Sequence, residues 1–191
     1  MKRAPSFLYV LLRPVVEGVF RTLFRVTVAG REHVPVDGPV LLCCNHISGF
    51  DPPLVAAVCP RPVYSMGKEE LFRHFGWFMV RFGVFPVRRG TPDRRSLRTA
   101  VDLLKRGEVV AIYPEGTRHH VEPIGAPKRG IVLVANLSGA PIVPVVVQGP
   151  YGLRRAIRVA FGPPRHLGKG SDPSAQILRF IEETMDPGWP H

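Results

Sequence analysis

The chain is 191 residues long and 45% hydrophobic, with a formal charge of +11 and a pI near 10.4. That length and apolar content give one domain with a substantial core and exclude disorder, while the charge calls for an acidic partner or surface. The cations are scattered, as in Arg88-Arg89, Arg94-Arg95 and Arg154-Arg155, and neither an RNP stretch nor a zinc-finger spacing occurs, so the expected partner is an anionic lipid surface and not nucleic acid.

Residues 1–24 read as an amphipathic helical segment. Leu8, Leu11, Leu12, Val15, Val16, Val19, Phe20 and Leu23 follow the rhythm of a helical face, with Lys2, Arg3, Arg13, Arg21 and Arg25 around it. A spanning helix needs ~20 mostly apolar residues, but Arg13, Glu17 and Arg21 interrupt this one, and Pro14 is expected to kink it or divide it in two. The face then either lies in a membrane interface or packs on the protein's own sheet. The apolar stretch is too short for a secretory signal, and no Ala-x-Ala-like site follows it.

From residue 25 onwards, strands and helices alternate. Strands are expected at 25–28 and 40–44, a helix from Pro52, a strand at 62–66, an amphipathic stretch at 69–82 and a short strand at 85–87. A helix follows from the Asp93 cap to Lys105, with Gly107 as its stop. Then come a strand at 109–113, a helix at 130–137, strands at 142–147 and 157–161, and a closing helix at 173–185. Residues 25–191 thus form a single α/β domain whose mixed, mostly parallel sheet is flanked by helices.

Two constellations carry chemistry. In Asn45-His46-Ile47-Ser48-Gly49-Phe50-Asp51, a histidine and a carboxylate stand five positions apart. On an ideal helix such positions diverge by roughly 140°, so the two meet only if a loop joins them. Gly49 supplies freedom for that loop, and Asp51-Pro52-Pro53 reads as a helix cap followed by proline. Asp51 could then fix one ring nitrogen of His46 and leave the other to take a proton from a hydroxyl. In the second, the apolar run Val109 to Tyr113 ends in Pro114-Glu115-Gly116-Thr117-Arg118, placing polar groups at the carboxyl end of a strand, where ligands sit in open α/β sheets.

With Gly83-Val84-Phe85-Pro86-Val87-Arg88-Arg89 and Ile142-Val143-Pro144-Val145, these blocks occur in an order that resembles the glycerolipid acyltransferase family, which includes the 1-acyl-glycerol-3-phosphate (lysophosphatidate) acyltransferases. The resemblance covers about residues 38–148. It implies direct transfer of an acyl group from a thioester to the free hydroxyl of 1-acyl-glycerol-3-phosphate, giving phosphatidate, with His46 as base and Asp51 as its orienting partner. It places Asn45, Lys68, Arg89, Glu115, Gly116, Thr117 and Arg118 on the substrate side. Arg89 and Arg118 suit an acceptor phosphate, because guanidinium is planar and permanently charged, and Glu115 and Thr117 shape the pocket. Lys68 is either a further phosphate contact or a solvated lysine at a helix start, and Lys128 either touches phosphate or donor or is a loop charge.

Arg88 departs from the pattern, standing where the family usually has Asp, and His119 stands where Ser commonly follows. Alternative readings are therefore an acyltransferase for another lysophospholipid or lipid alcohol, or a non-catalytic lipid-phosphate binder. The donor is acyl-coenzyme A or an acyl carrier protein thioester, and no other cofactor and no metal are expected. Ser48 lacks the Gly-x-Ser-x-Gly setting of a nucleophile, and His119-His120 have no third ligand at metal spacing. No dinucleotide fingerprint or P-loop occurs. Cys43 and Cys44 should point to opposite sheet faces and, with Cys59, read as small core residues in a reducing compartment. The expected location is peripheral, on the cytoplasmic face of the cell membrane.

Overall fold

Val40–Cys44 is a run of small and branched apolar residues, and all five are buried, the condition of a strand covered on both faces. The computed structural model describes residues 7–88, 93–114, 127–168 and 172–186. It has seven strands: β1 (Arg25–Ala29), β2 (Val40–Cys44), β3 (Val63–Lys68), β4 (Val84–Val87), β5 (Val109–Ile112), β6 (Ile142–Gln148) and β7 (Ala156–Phe161). They form one sheet in the order β1-β7-β6-β2-β5-β3-β4. The β6–β7 pair is antiparallel and every other pair is parallel, so the five strands from β6 to β4 share one direction and β7 and β1 run against them.

The α-helices among the described residues are α1 (Phe7–Leu23), α2 (Asp51–Val58), α3 (Phe72–Arg81), α4 (Arg94–Lys105), α5 (Arg129–Ser138) and α6 (Pro173–Glu182). Alternation along β2 sends Leu42 and Cys44 into the core layer with α2, Phe20 and Phe24, and Leu41 and Cys43 into the layer with α4, α5 and α6. The adjacent cysteines thus face opposite ways, as strand geometry requires. Asp93 caps α4, its carboxylate accepting from Arg95 and Ser96 N–H at 3.0 and 3.1 Å, and Gly107, at φ 82°, ends that unit in the left-handed region. The last helix stops at Glu182, short of the expected Met185, and β3 extends to Lys68, beyond the expected Met66.

Pro14 does not divide the N-terminal segment, because α1 is helical throughout Phe7–Leu23. A proline removes the N–H that would bond residue 10; Val10 lies on the exposed side of α1, where water can satisfy its carbonyl. The inward face carries Tyr9 and Phe20. The Tyr9 hydroxyl donates to Ala56 O at 3.3 Å and accepts from Val63 N–H at 3.1 Å. Arg13 donates to the Ala57, Cys59 and Pro60 carbonyls at the end of α2, where a cation meets the negative end of the helix dipole. Arg21 and Arg31 both pair with Glu17 at 2.9 Å. Arg13 and Arg21, expected as part of a lipid-facing basic flank, are therefore engaged within the protein. The outward face is apolar: Phe7, Leu11, Val15, Val19 and Leu23, spaced by four, are 43–81% exposed. No described helix is long and apolar enough to cross a membrane.

Candidate active site

β2 ends where β5 and β6 flank it, and side chains from the segments that follow all three strands converge there. Cys43 pairs with Ile112 on one side and Cys44 with Val145 on the other, so Asn45 leaves β2 at the level where Pro114 leaves β5. Asn45 is nearly fully buried and extends the β2–β6 ladder with its side chain: Nδ2 donates to Val147 O at 2.9 Å and Oδ1 accepts from Val147 N–H at 2.7 Å. Its amide therefore holds the base of the His46 loop.

His46 is 6% exposed and Asp51 wholly buried. Asp51 Oδ2 lies 2.8 Å from His46 Nδ1 and accepts from the Ile47 and Ser48 N–H groups at 2.8 and 2.7 Å. The carboxylate is turned back into the loop, and it makes no cap to α2, whose flanking residue is Phe50. The turn is closed by the Asp51 carboxylate and by Asp51 N–H donating to Ser48 O at 3.2 Å. An ionised carboxylate only accepts. It therefore requires the proton on His46 Nδ1 and places the imidazole lone pair on Nε2, the condition for a general base.

Two tyrosines complete the surroundings. The Tyr113 ring lies 4.6 Å from the His46 ring, at 43°, and burial first, then the neighbouring Cys44 and the charge of Asp51, push its phenol well above the ordinary value. The Tyr151 hydroxyl donates to Asp51 Oδ1 at 2.8 Å. Burial and the Asp51 charge raise its phenol too, so it stays protonated and acts as a donor. Nothing in the sequence spacing pointed to Tyr151. The only available signal is its place in the loop after β6, at the carboxyl edge of the sheet.

Lys68 is exposed at the end of β3 and is also the N-cap of the short 3-10 helix Glu69–Leu71, so it stands solvated at a helix start. Arg88, at the end of β4, gives Glu69 a 2.8 Å ion pair with both side chains exposed. Lys128 is exposed, and its N–H donates to Pro114 O at 3.0 Å. Arg89, Glu115, Gly116, Thr117, Arg118, His119 and His120 lie outside the described residues. The described strand ends that precede those segments, in β4 and β5, share the carboxyl edge with His46. Among the described residues no group of three His, Cys, Asp or Glu side chains stands where it could hold a metal. Cys43, Cys44 and Cys59 are buried free thiols, and desolvation raises all three.

A family model described as Acyltransferase matches residues 25–148. A 1-acyl-sn-glycerol-3-phosphate acyltransferase of Bacillus subtilis is 37% identical over 171 residues, which cover 84% of each chain. A lyso-ornithine lipid O-acyltransferase of Pseudomonas aeruginosa is 29% identical across 58% of this chain and 43% of its own. Several other curated relatives are longer, and the chain spans about half of their length. In fold, the chain resembles a crystal structure of the 1-acyl-sn-glycerophosphate acyltransferase of Thermotoga maritima, with a TM-score of 0.70, 20% identity and coverage of 96% of this chain and 81% of that one.

Proposed function

The chain belongs to the acyltransferase family, and on that premise we propose that it transfers a fatty acyl group from a thioester to the free hydroxyl of 1-acyl-glycerol-3-phosphate, giving phosphatidate. The observation that carries this reading is the buried 2.8 Å contact between His46 Nδ1 and Asp51 at the carboxyl edge of the sheet. His46 Nε2 takes the proton of the acceptor hydroxyl as its oxygen attacks the thioester carbonyl. Asp51 stabilises the imidazolium that forms. Collapse of the tetrahedral intermediate breaks the carbon–sulfur bond, and the imidazolium returns the proton to the departing thiolate. General-base help of this kind contributes ~10² to 10⁴ in rate. The thioester is carried by coenzyme A or by an acyl carrier protein, either of which suits a chain of charge +11.

Arg118 and Arg89 clamp the acceptor phosphate, with Glu115, Gly116 and Thr117 shaping the pocket and Lys68 adding positive charge at the same edge. The enzyme works as a peripheral protein at the cytoplasmic face of the membrane. Support for this comes from the exposed apolar ridge of α1, which runs from beside Val63 at the opposite edge of the sheet up to Leu23, whose carbonyl accepts from Arg154 N–H at 2.7 Å at the catalytic edge.

A second acceptor class is favoured by two observations: Arg88 replaces the usual acidic motif residue and is held by Glu69, and one relative is named for acylating a lyso-ornithine lipid. Thiol release from acyl-coenzyme A should be measured with lysophosphatidate, lysophosphatidylcholine and lyso-ornithine lipid in turn, for the wild type and Arg118→Ala. Turnover concentrated on lysophosphatidate, with a KM raised at least tenfold in the variant, supports the first reading. Preference for a phosphate-free acceptor, insensitive to Arg118→Ala, would transfer the assignment to the second.

A further inference from the structure

Three donors hold one oxygen of Asp51, but the other takes a single hydroxyl that arrives from 100 positions away in the chain. The χ2 torsion of an aspartate is broad and roughly two-fold, and because both oxygens turn together about Cβ–Cγ, the three bonds to Oδ2 leave the carboxylate only the freedom that their own slack allows. A second donor on Oδ1 removes that freedom. We propose that Tyr151 is the positioning residue of the catalytic pair, its hydroxyl locking the Asp51 carboxylate so that Oδ2 stays aimed at His46 Nδ1. The proposal rests on the reading of His46 as the base.

The anchoring of Tyr151 supports this role. Its ring packs edge-on to Phe24 at 5.5 Å and 90°, and against Phe50 at 5.7 Å and 41°. Phe50 in turn meets Phe20 of α1 edge-on at 6.3 Å. Offset and edge contacts of this kind give an aromatic ring a defined orientation, so the hydroxyl is placed by the end of α1 and by the residue next to Asp51. Among the described residues, the acidic and basic side chains facing Asp51 are His46 from its own loop, Cys44 from β2, Tyr113 from the end of β5 and Tyr151 from the loop after β6. Of these, Tyr151 is the one that donates to Oδ1 among the described residues.

Tyr151→Phe removes the donor and keeps the ring and its stacking partners. Partners that orient a metal-binding side chain typically contribute about tenfold to hundredfold, and an effect of the same order is expected for a donor that orients Asp51. The expected result is a fall in kcat of that size with the acceptor KM within about twofold of wild type. The low-field proton resonance of His46 Nδ1–H should also move or exchange faster in the variant. A purely structural role would lower the thermal midpoint in Tyr151→Phe and Tyr151→Leu alike while leaving kcat per folded molecule unchanged. A Tyr151→Phe kcat within twofold of wild type, or a His46 resonance that coincides with wild type, would overturn the proposal. If the wild-type protein shows no turnover with any acceptor, the acyl-transfer reading fails while the resonance comparison still decides the role of Tyr151.

Discussion

Asp51 has no solvent exposure, and four donors surround it. Asn can occupy the same position, with its carbonyl oxygen toward His46, Ile47 and Ser48 and its NH₂ toward the Tyr151 oxygen, so Asp51→Asn should leave the thermal midpoint within a few degrees. What it removes is the charge that stabilises imidazolium. Replacing the orienting carboxylate of a Ser-His-Asp triad by its amide costs about 10⁴ in kcat; here, where the pair works without a covalent intermediate, a loss of about 10² to 10⁴ in kcat is expected. Activity within tenfold of wild type would show that Asp51 only orients the ring. The His46–Asp51 pair was legible in sequence because both partners lie in one seven-residue loop. The tertiary tasks of Asn45 and Tyr151 were not, since their partners, Val147 and Asp51, lie about 100 positions away, a separation no local period or spacing encodes.

At the scale of elements, strands read well because burial on both faces leaves unbroken apolar runs: β2 and β6 are buried along their whole length. Element ends read less well, as at β3 and α6, because hydrogen bonding and not residue type fixes the last turn. Helix α1 is the instructive case. Apolar residues lie on both of its sides, so the pattern alone could not say which side packs; the structure seats Tyr9 and Phe20 inward and leaves the Phe7-Leu11-Val15-Val19-Leu23 ridge outward. Burial of such a ridge in a bilayer interface is worth roughly 25 cal/mol per Å². Two carboxylates on it, Leu11→Asp with Val15→Asp, touch only exposed positions and should leave the thermal midpoint nearly unchanged. They should abolish most sedimentation with vesicles containing anionic lipid. Full retention of binding would move membrane attachment to another surface.

On the scale of the whole molecule, the shared direction of the five strands from β6 to β4 gathers the carboxyl ends of β2, β3, β4 and β5 on one edge, and the family motifs follow those ends. Motif order showed that these segments belong together, but only the strand order β1-β7-β6-β2-β5-β3-β4 shows that β2 sits between β5 and β6. A core holding three thiols and the phenols of Tyr9, Tyr113 and Tyr151 also predicts a pH response. Folding raises the thiols and these phenols, so the unfolded chain loses protons first. The stabilisation is complete below the unfolded thiol value near pH ~8.5 and declines as pH rises above it. The thermal midpoint should therefore hold from pH 7 to about 8.5 and then fall, and a midpoint flat to pH 10.5 would contradict burial of these groups. The central claim is that His46 is the base of an acyl transfer, and thiol release from acyl-coenzyme A with lysophosphatidate, comparing wild type and folded, vesicle-bound His46→Ala, tests it most directly. Wild-type turnover with a loss of at least ~10² in the variant is the predicted result; a variant that turns over like the wild type would contradict it.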